Sequence, residues 1–180
     1  MKALRHCESI GFYLISFYFI IPKLAYSQEY PFSVGYKHSC VGALDGDLEC
    51  FGDNYYGQLG QGHDESIGDN PDELGPFYNS VDLGTDSELF LTAKQVSCGH
   101  FHTCVILNNN KGAKCWGWNR SGQLGLRIPA TQHKGDNPNE MDNRLPLLNL
   151  GTGIIPSQIT SGYHHTCIKF DNNKVKCFGY

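Results

Sequence analysis

The feature that most constrains this chain is a threefold repeat. Its cores span residues 33–62, 95–126 and 158–180, and each is an imperfect copy of the others. Three histidines occupy the same position in the copies, at offsets of 64 and 63 residues: His38, His102 and His165. A period this steady indicates a chain built by stacking one structural unit. The repeat therefore predicts the architecture more directly than it predicts the function.

Composition agrees with an all-β fold. The 180 residues include 21 Gly, 8 Pro, 10 Tyr and 10 Phe, a mixture typical of short strands joined by many turns. The net charge of −4 leaves no excess of basic residues to attract nucleic acid or an anionic membrane surface. We therefore expect an all-β protein that does not bind nucleic acid.

Residues 1–27 differ from the rest of the chain. Lys2 and Arg5 precede an apolar run at residues 10–21, and a site of small residues follows. This is the layout of a secretory signal peptide. The run is shorter than the roughly 20 residues that a membrane-spanning helix needs. We expect a cleaved signal peptide and an extracellular or secretory-pathway location for residues 28–180. A membrane span is expected only if the signal stays uncleaved.

Six cysteines fall into pairs that follow the repeat: Cys40 with Cys50, Cys104 with Cys115, and Cys167 with Cys177. The members of each pair are ten or eleven residues apart and flank a turn-rich segment, which predicts a β-hairpin. Facing positions on antiparallel strands bring Cα atoms within about 4.5 to 5.5 Å, a distance that suits a disulfide. Apart from Cys7 in the predicted signal peptide, Cys98 is left unpaired, either as a buried small residue or with an unseen partner.

Each copy reads Gly-x-x-His-[Ser/Thr]-Cys and then Cys-[Phe/Trp]-Gly, and the first two continue into Gly-Gln-Leu-Gly. The pattern resembles the repeat of the regulator of chromosome condensation family. The resemblance implies a β-propeller of four-stranded blades, about seven in a complete ring. Three repeats do not close such a ring. We therefore expect residues 28–180 to be a partial propeller, belonging to a longer product that is monomeric.

The repeated histidines lie beside cysteines, as the ligands of a metal site would. Thiols in disulfides cannot bind zinc, and the resemblance implies that these histidines belong to the blade framework. The Gly-Asp-Asn-Pro loops at residues 68–73 and 135–140 carry oxygen donors without the spacing of a calcium-binding EF-hand. We expect exposed acidic turns there, and neither a metal nor a cofactor.

Three functions fit this pattern. The first is a secreted or surface-exposed protein-interaction scaffold that presents the loops of a disulfide-stiffened propeller. The second is guanine-nucleotide exchange on Ran, the founding activity of the family, which the signal peptide and paired cysteines oppose. The third is a calcium- or carbohydrate-binding module that uses the acidic loops. No nucleophile elbow or phosphate-binding loop is present, so the chain is not expected to be an enzyme. We favour the scaffold, whose partner the sequence does not identify.

Aromatic residues and arginine dominate binding hot spots, and the loops supply several candidates for partner contacts. These candidates are Tyr55, Tyr56, Phe77, Tyr78, Trp118 and Arg120. Asn119 begins a glycosylation sequon, which requires that its side chain faces outward. Phe51 and Trp116 follow a strand cysteine in phase with the repeat, so we expect both rings to pack between blades.

Overall fold

A computed structural model describes residues 30–43, 46–75 and 79–180. The predicted signal peptide and two predicted contact residues, Phe77 and Tyr78, lie outside these ranges. The described part consists of short strands with two 3-10 turns, Asn108–Asn110 and Asp142–Arg144. None of its helices is long and apolar enough to cross a membrane. The predicted all-β class is confirmed.

Eleven strands are described, and most are five or six residues long. They are β1 (Phe32–Val34), β2 (His38–Gly42), β3 (Leu48–Gly52), β4 (Thr85–Asp86), β5 (Leu89–Phe90), β6 (Ala93–Cys98), β7 (His102–Leu107), β8 (Ala113–Gly117), β9 (Pro156–Ser161), β10 (His165–Phe170) and β11 (Val175–Gly179). Each repeat forms one three-stranded antiparallel sheet, β1-β2-β3, β6-β7-β8 or β9-β10-β11. The small hairpin β4-β5 stands apart from them.

The fourth strand expected in each blade is reduced to a single bridge in the first two repeats. Gly52 pairs with Ile67, and Gly117 pairs with Lys134. The residue after each bridge is a glycine with positive φ, 97° and 92° respectively, and the chain turns away there. Such a conformation suits glycine, because it lacks a Cβ atom. The described blades therefore have three continuous strands and a short outer contact.

The first strand of each sheet lies beside the first strand of the next. The Cys98 amide donates to Ser33 Oγ at 2.9 Å, and the Ser161 amide donates to Ser97 Oγ at 2.8 Å. Cys98 occupies the position of Ser161, and its thiol lies 3.5 Å from the Ser33 carbonyl. Burial raises the pKa of this thiol to about 11. The odd cysteine is thus a buried, protonated small residue.

Two apolar layers hold the three sheets together. Leu48, Leu59 and Leu107 are buried between the first and second sheets. Leu124 and Ile168 are buried between the second and third sheets. The leucine of each Gly-Gln-Leu-Gly segment therefore lies in the layer that joins its blade to the following blade.

The three predicted disulfides are present. They join Cys40 to Cys50, Cys104 to Cys115, and Cys167 to Cys177. In each pair the two residues face each other across a hairpin, with Cα atoms 4.1 Å apart. Each bridge therefore fastens the second and third strands of one blade.

Replacing Cys104 and Cys115 together with alanine should lower the free energy of unfolding by about 2 kcal/mol, because the short closed loop limits the unfolded chain only modestly. Both cysteines are buried, so the two-residue replacement also avoids leaving one free thiol in the core. Urea denaturation under non-reducing conditions measures the change. If the double variant were as stable as the wild type, the bridge would not brace the hairpin.

Candidate interaction surface

The repeated histidine joins one blade to the next. His38 Nε2 lies 2.9 Å from Thr103 Oγ1, and the Thr103 hydroxyl donates to the main-chain carbonyl of Gln58 at 2.8 Å. Since that hydrogen bond uses the only hydroxyl hydrogen, His38 must be the donor to Thr103. His38 is therefore a neutral imidazole that carries its proton on Nε2.

The second and third blades repeat this connection. His102 Nε2 lies 2.9 Å from Thr166 Oγ1, which donates to the Gln123 carbonyl at 3.0 Å. Burial, followed by repulsion from His100, lowers the pKa of His38 to about 4. Burial and then repulsion from His38 lower the pKa of His102 to about 3. The predicted framework role of these two histidines agrees with this geometry.

The acidic loops use their carboxylates to hold their own shape. Glu73 Oε2 accepts the amides of Gly68, Asp69 and Asn70 at 2.7, 3.1 and 3.0 Å. Hydrogen bonds from the Asn70 side chain and the loop backbone lower the pKa of Glu73 to about 2. Within the described ranges, no three His, Cys, Asp or Glu residues are grouped as metal ligands. The loops therefore favour a structural role over calcium binding.

Aromatic rings from all three repeats meet at one end of the sheets. The two variable positions of each Gly-x-x-His loop lie there, between the first and second strands of a blade. The ring centroid of His100 is 4.2 Å from that of Tyr36 and 3.7 Å from that of Tyr163, with which it stacks at 19°. The three rings form a row that takes one residue from each blade.

A second group of rings continues this row. Trp118 lies 4.6 Å from His164 and 5.9 Å from Tyr56, measured between ring centroids. Tyr56 in turn contacts Tyr55 at 4.9 Å and His133 at 5.1 Å. We call the combined set the aromatic surface: Tyr36, Tyr55, Tyr56, His100, Phe101, Trp118, His133, Tyr163 and His164. Its tyrosines at 36, 55 and 163 are exposed, so a partner can reach it.

Trp118 differs from the residue at the same position of the first repeat, and the difference removes a hydrogen bond of the framework. In the first repeat, Gln58 Nε2 donates to Asp53 Oδ2 at 2.6 Å. Trp118 replaces that aspartate in the second repeat, and the buried Nε2 of Gln123 has no hydrogen-bond partner among the described residues. An unsatisfied buried donor costs about 1–3 kcal/mol. A residue that weakens the framework while enlarging an exposed aromatic cluster is a candidate for function rather than stability.

The surface is flanked by cations. Lys37 Nζ lies 6.0 Å from the centroid of the Tyr36 ring. Arg120 is exposed and acts electrostatically on His133. Burial, then repulsion from His164 and Lys37, lowers the pKa of His100. The surroundings of His100 therefore favour its neutral form, while Lys37 and Arg120 place positive charge at the edge of the surface.

The structure brings together three of the predicted contact residues, Tyr55, Tyr56 and Trp118, and places Arg120 on the surface nearby. The sequence interpretation missed the rings of the Gly-x-x-His loops. Every copy carries at least one aromatic or histidine residue at the two variable positions of that motif. This recurrence is the sequence signal that could have predicted a cluster of rings at these loops.

The glycosylation prediction at Asn119 conflicts with the fold. The side chain is 1% exposed, and its Oδ1 accepts the Leu124 amide at 3.3 Å. Asn54 makes the same contact with the Leu59 amide in the first repeat, at 2.9 Å. Asn119 is thus a framework residue, and a glycan on its buried amide would not fit the folded chain.

Two substitutions at Trp118 separate its effects on stability and on binding. Trp118→Asp should restore the acceptor that Gln123 lacks, whereas Trp118→Ala removes the ring and restores nothing. We expect the aspartate variant to be more stable than the alanine variant by about 1.5–3 kcal/mol, as for a hydrogen bond to a charged group. Chemical denaturation at pH 7 measures the difference. Equal stabilities would show that Gln123 Nε2 does not need this partner.

Sequence comparisons agree with the repeat pattern. Two sequence models described as the Regulator of chromosome condensation (RCC1) repeat match residues 45–106 and 93–123. The Ultraviolet-B receptor UVR8 of Arabidopsis thaliana is 28% identical over 146 residues, which cover 81% of this chain and 28% of the receptor. The chain thus spans less than a third of the length of this relative.

Solved structures resemble the fold as well. Human WBSCR16 matches with a TM-score of 0.63 and 20% identity, over 83% of this chain and 34% of that protein. Yeast RCC1 (Prp20), in a complex with Kap60, matches with a TM-score of 0.54 and 18% identity, over 83% of this chain and 31% of that protein. At these identities, the likeness establishes the propeller architecture alone.

Proposed function

We propose that this chain, which carries repeats of the regulator of chromosome condensation family, is a secreted or surface-exposed scaffold that binds a protein through the aromatic surface. The observation that carries the proposal is the convergence of rings from all three repeats, including Trp118 at the expense of Gln123. Fold alone does not assign function, so the proposal depends on this site.

The chemistry of the aromatic surface suits a protein partner. Tyrosine and tryptophan are enriched in binding hot spots, since they bury a large apolar area and lose little conformational entropy. Four cavities of about 260–460 Å³ are lined by other residues, whereas small ligands usually bind in concave pockets. Yeast RCC1 (Prp20), a protein of the same fold, has been crystallised bound to Kap60.

Rigidity supports the scaffold reading. The three Gly-x-x-His loops lead into strands that are held by disulfides, and the segments of Tyr55 and Trp118 follow strands that are held by disulfides. A preorganised surface loses less conformational entropy on binding, so more of the contact energy appears as affinity.

Two features support the proposed extracellular location: the three disulfides and the signal-like sequence of residues 1–27. Disulfides persist in oxidising compartments and are rare in the cytosol. Three bridges in phase with the repeat, together with the signal-like residues 1–27, support export.

Affinity capture from the extracellular medium of the source tests the proposal. Three baits are compared. They are the full chain, a double variant that combines Trp118→Asp with Tyr163→Ser, and the matched control Phe90→Ser. Phe90 is exposed on the β4-β5 hairpin, outside the aromatic surface. We expect a protein retained by the wild type and the Phe90 variant, and depleted at least about tenfold by the double variant. Equal retention by all three baits would contradict the proposal.

Nucleotide exchange on Ran is the competing function that the family resemblance implies. The wild-type chain and the aromatic double variant can both be added to Ran loaded with a fluorescent nucleotide. Our proposal expects no acceleration of nucleotide release by either chain. Acceleration by the wild type would favour the exchange function instead.

A further inference from the structure

His100 holds the middle position in the row of stacked rings. The first variable position of the Gly-x-x-His loop is Tyr36 in the first repeat and Tyr163 in the third, whereas the second repeat has a histidine there. The His100 ring centroid lies 4.2 Å from that of Tyr36 and 3.7 Å from that of Tyr163. The stack is complete within the described residues. The row therefore has a titratable ring at its centre.

The His100 ring is enclosed without a hydrogen-bond partner. The residue is 7% exposed, and neither Nδ1 nor Nε2 has a partner among the described residues. The framework histidines differ, because Nε2 of His38 and Nε2 of His102 each lie 2.9 Å from a threonine hydroxyl. A neutral imidazole has one N–H group, whereas an imidazolium has two and carries a charge. Protonation within the stack would therefore leave two charged donors unsatisfied.

The groups around His100 oppose a positive charge on its ring. Lys37 Nζ lies 6.0 Å from the Tyr36 ring centroid, and the His164 ring centroid lies 6.1 Å from that of His100. Burial, then repulsion from His164 and Lys37, lowers the pKa of His100. The titratable and charged groups that face this ring, from its own strand and from the two neighbouring blades, are Tyr36, Lys37, His38, His102, Tyr163 and His164. None of these groups is a carboxylate that would stabilise an imidazolium.

Attraction between an imidazolium and the tyrosine rings acts in the other direction. The Tyr163 ring stacks on His100 at 19°, but the Tyr36 ring is tilted by 41°. A cation over an aromatic face gains about 0.5–1 kcal/mol at an exposed site and about 2 kcal/mol when desolvated. Each buried donor without a partner costs about 1–3 kcal/mol, and more when it is charged. One stacked face therefore does not offset two charged donors and the repulsion from Lys37 and His164.

We propose that the aromatic surface is a pH-sensitive binding site that opens when His100 takes up a proton. The protonated ring leaves the space between Tyr36 and Tyr163, where water can satisfy both N–H groups, and the continuous row separates. The regulation rests on the proposed function, because it concerns the same surface. A protein that packs across the row is bound at neutral pH and released under acidic conditions.

The direction and size of the effect follow from proton linkage. A histidine released into water has an ordinary pKa of about 6.5, whereas the pKa of His100 in the stack is lowered. The stacked form is therefore fully favoured above about pH 6.5, and its advantage is lost as pH falls below that value. Between pH 7.5 and pH 5.5, the equilibrium shifts toward the released form by at most about tenfold. Binding should weaken by up to the same factor.

Histidine-selective NMR of the full chain with its disulfides formed tests the opening without a partner. The His100 signal is the one that disappears in His100→Tyr, a variant that gives the second repeat the tyrosine of the other two repeats. His100→Phe identifies the same signal if the tyrosine hydroxyl does not fit. At pH 7.5, ring currents of the neighbouring tyrosines should displace the Hε1 signal of His100 upfield. By pH 5 the signal should reach the position of a solvent-exposed histidinium.

Two NMR results would overturn the proposal. The first is a His100 signal that keeps its ring-current displacement down to pH 5, since the ring would then remain stacked. The second is a displacement that disappears only together with the far-UV circular dichroism of the strands, since the change would then be global unfolding.

Affinity capture from the extracellular medium of the source then tests the release. The baits are the wild type, His100→Tyr and the matched control His63→Tyr, whose histidine lies outside the aromatic surface and accepts the Glu65 amide. Proteins captured at pH 7.5 are washed at pH 5.5. We expect the wild type and the control to release a protein that His100→Tyr retains several-fold better. Equal release from all three baits would overturn the regulation, whereas no capture at pH 7.5 would contradict the binding function and leave the NMR titration to decide the opening.

Discussion

Replacing Trp116 with alanine is expected to lower the free energy of unfolding by about 3–5 kcal/mol, a large part of the stability of a typical domain. The ring is fully buried between the first two sheets. Its Nε1 donates to the Gln58 carbonyl at 3.0 Å. The substitution leaves both a cavity and a weakened contact between blades. Urea denaturation followed by circular dichroism measures the loss.

Phe51 provides a matched control for this experiment, because it occupies the same repeat position in the first sheet. Its ring lies on the side of the first sheet that faces away from the second sheet, and it is only half-buried among the described residues. Phe51→Ala should therefore cost less than about 1 kcal/mol. If both variants lost a similar free energy of unfolding, the packing of Trp116 between the blades would not be the source of its effect.

Acidification is expected to destabilise the fold through His38 and His102. The pKa values of both side chains are lowered in the folded state, to about 4 and about 3, chiefly by burial. The unfolded chain therefore binds more protons below the ordinary histidine pKa of about 6.5. Their stabilising effect is complete above that pH and is lost as pH falls toward 4. Between pH 7 and pH 5 the loss should be about 2 kcal/mol for each histidine.

Two other variants isolate this effect. His102→Gln keeps a donor for Thr166 but does not titrate, so its stability should fall about 2 kcal/mol less than that of the wild type between pH 7 and pH 5. His165→Gln makes the same change at the equivalent exposed position and serves as the matched control. Asp136 acts in the opposite direction, since burial and then Glu140 raise its pKa. Parallel curves for His102→Gln and the wild type would contradict the account.

Sequence alone predicted the repeated framework well, for a physical reason. Hairpins and disulfides depend on spacing within one repeat, as for Cys104 and Cys115, so the sequence shows them directly. The core leucines also follow local pattern, since Leu59 and Leu124 sit in identical motifs. A contact that recurs in every copy places the same residue type at a constant interval in the sequence. The buried His38 and His102 are an example.

Features that depend on neighbouring repeats were harder to predict. The row of Tyr36, His100 and Tyr163 forms because three separate loops converge, and no spacing within one loop reveals that. The sequon predicts a glycan on Asn119, whereas the hydrogen bond that its side chain accepts from the Leu124 amide places it inside the framework. The sequence shows that Trp118 stands where the first repeat has Asp53. Only the structure shows that this exchange leaves the Gln123 side-chain amide without a hydrogen-bond acceptor among the described residues.

The measurement that most directly tests a secreted, disulfide-braced scaffold is a non-reduced peptide map of the native protein from its source. Free thiols should be alkylated before and after denaturation, and the N-terminal residue should be read on the same sample. We expect three bridges between facing cysteines, a Cys98 thiol that reacts only after denaturation, and an N-terminus at Gln28. Reactive thiols at Cys40, Cys104 or Cys167 in the native protein, with Met1 retained, would contradict it.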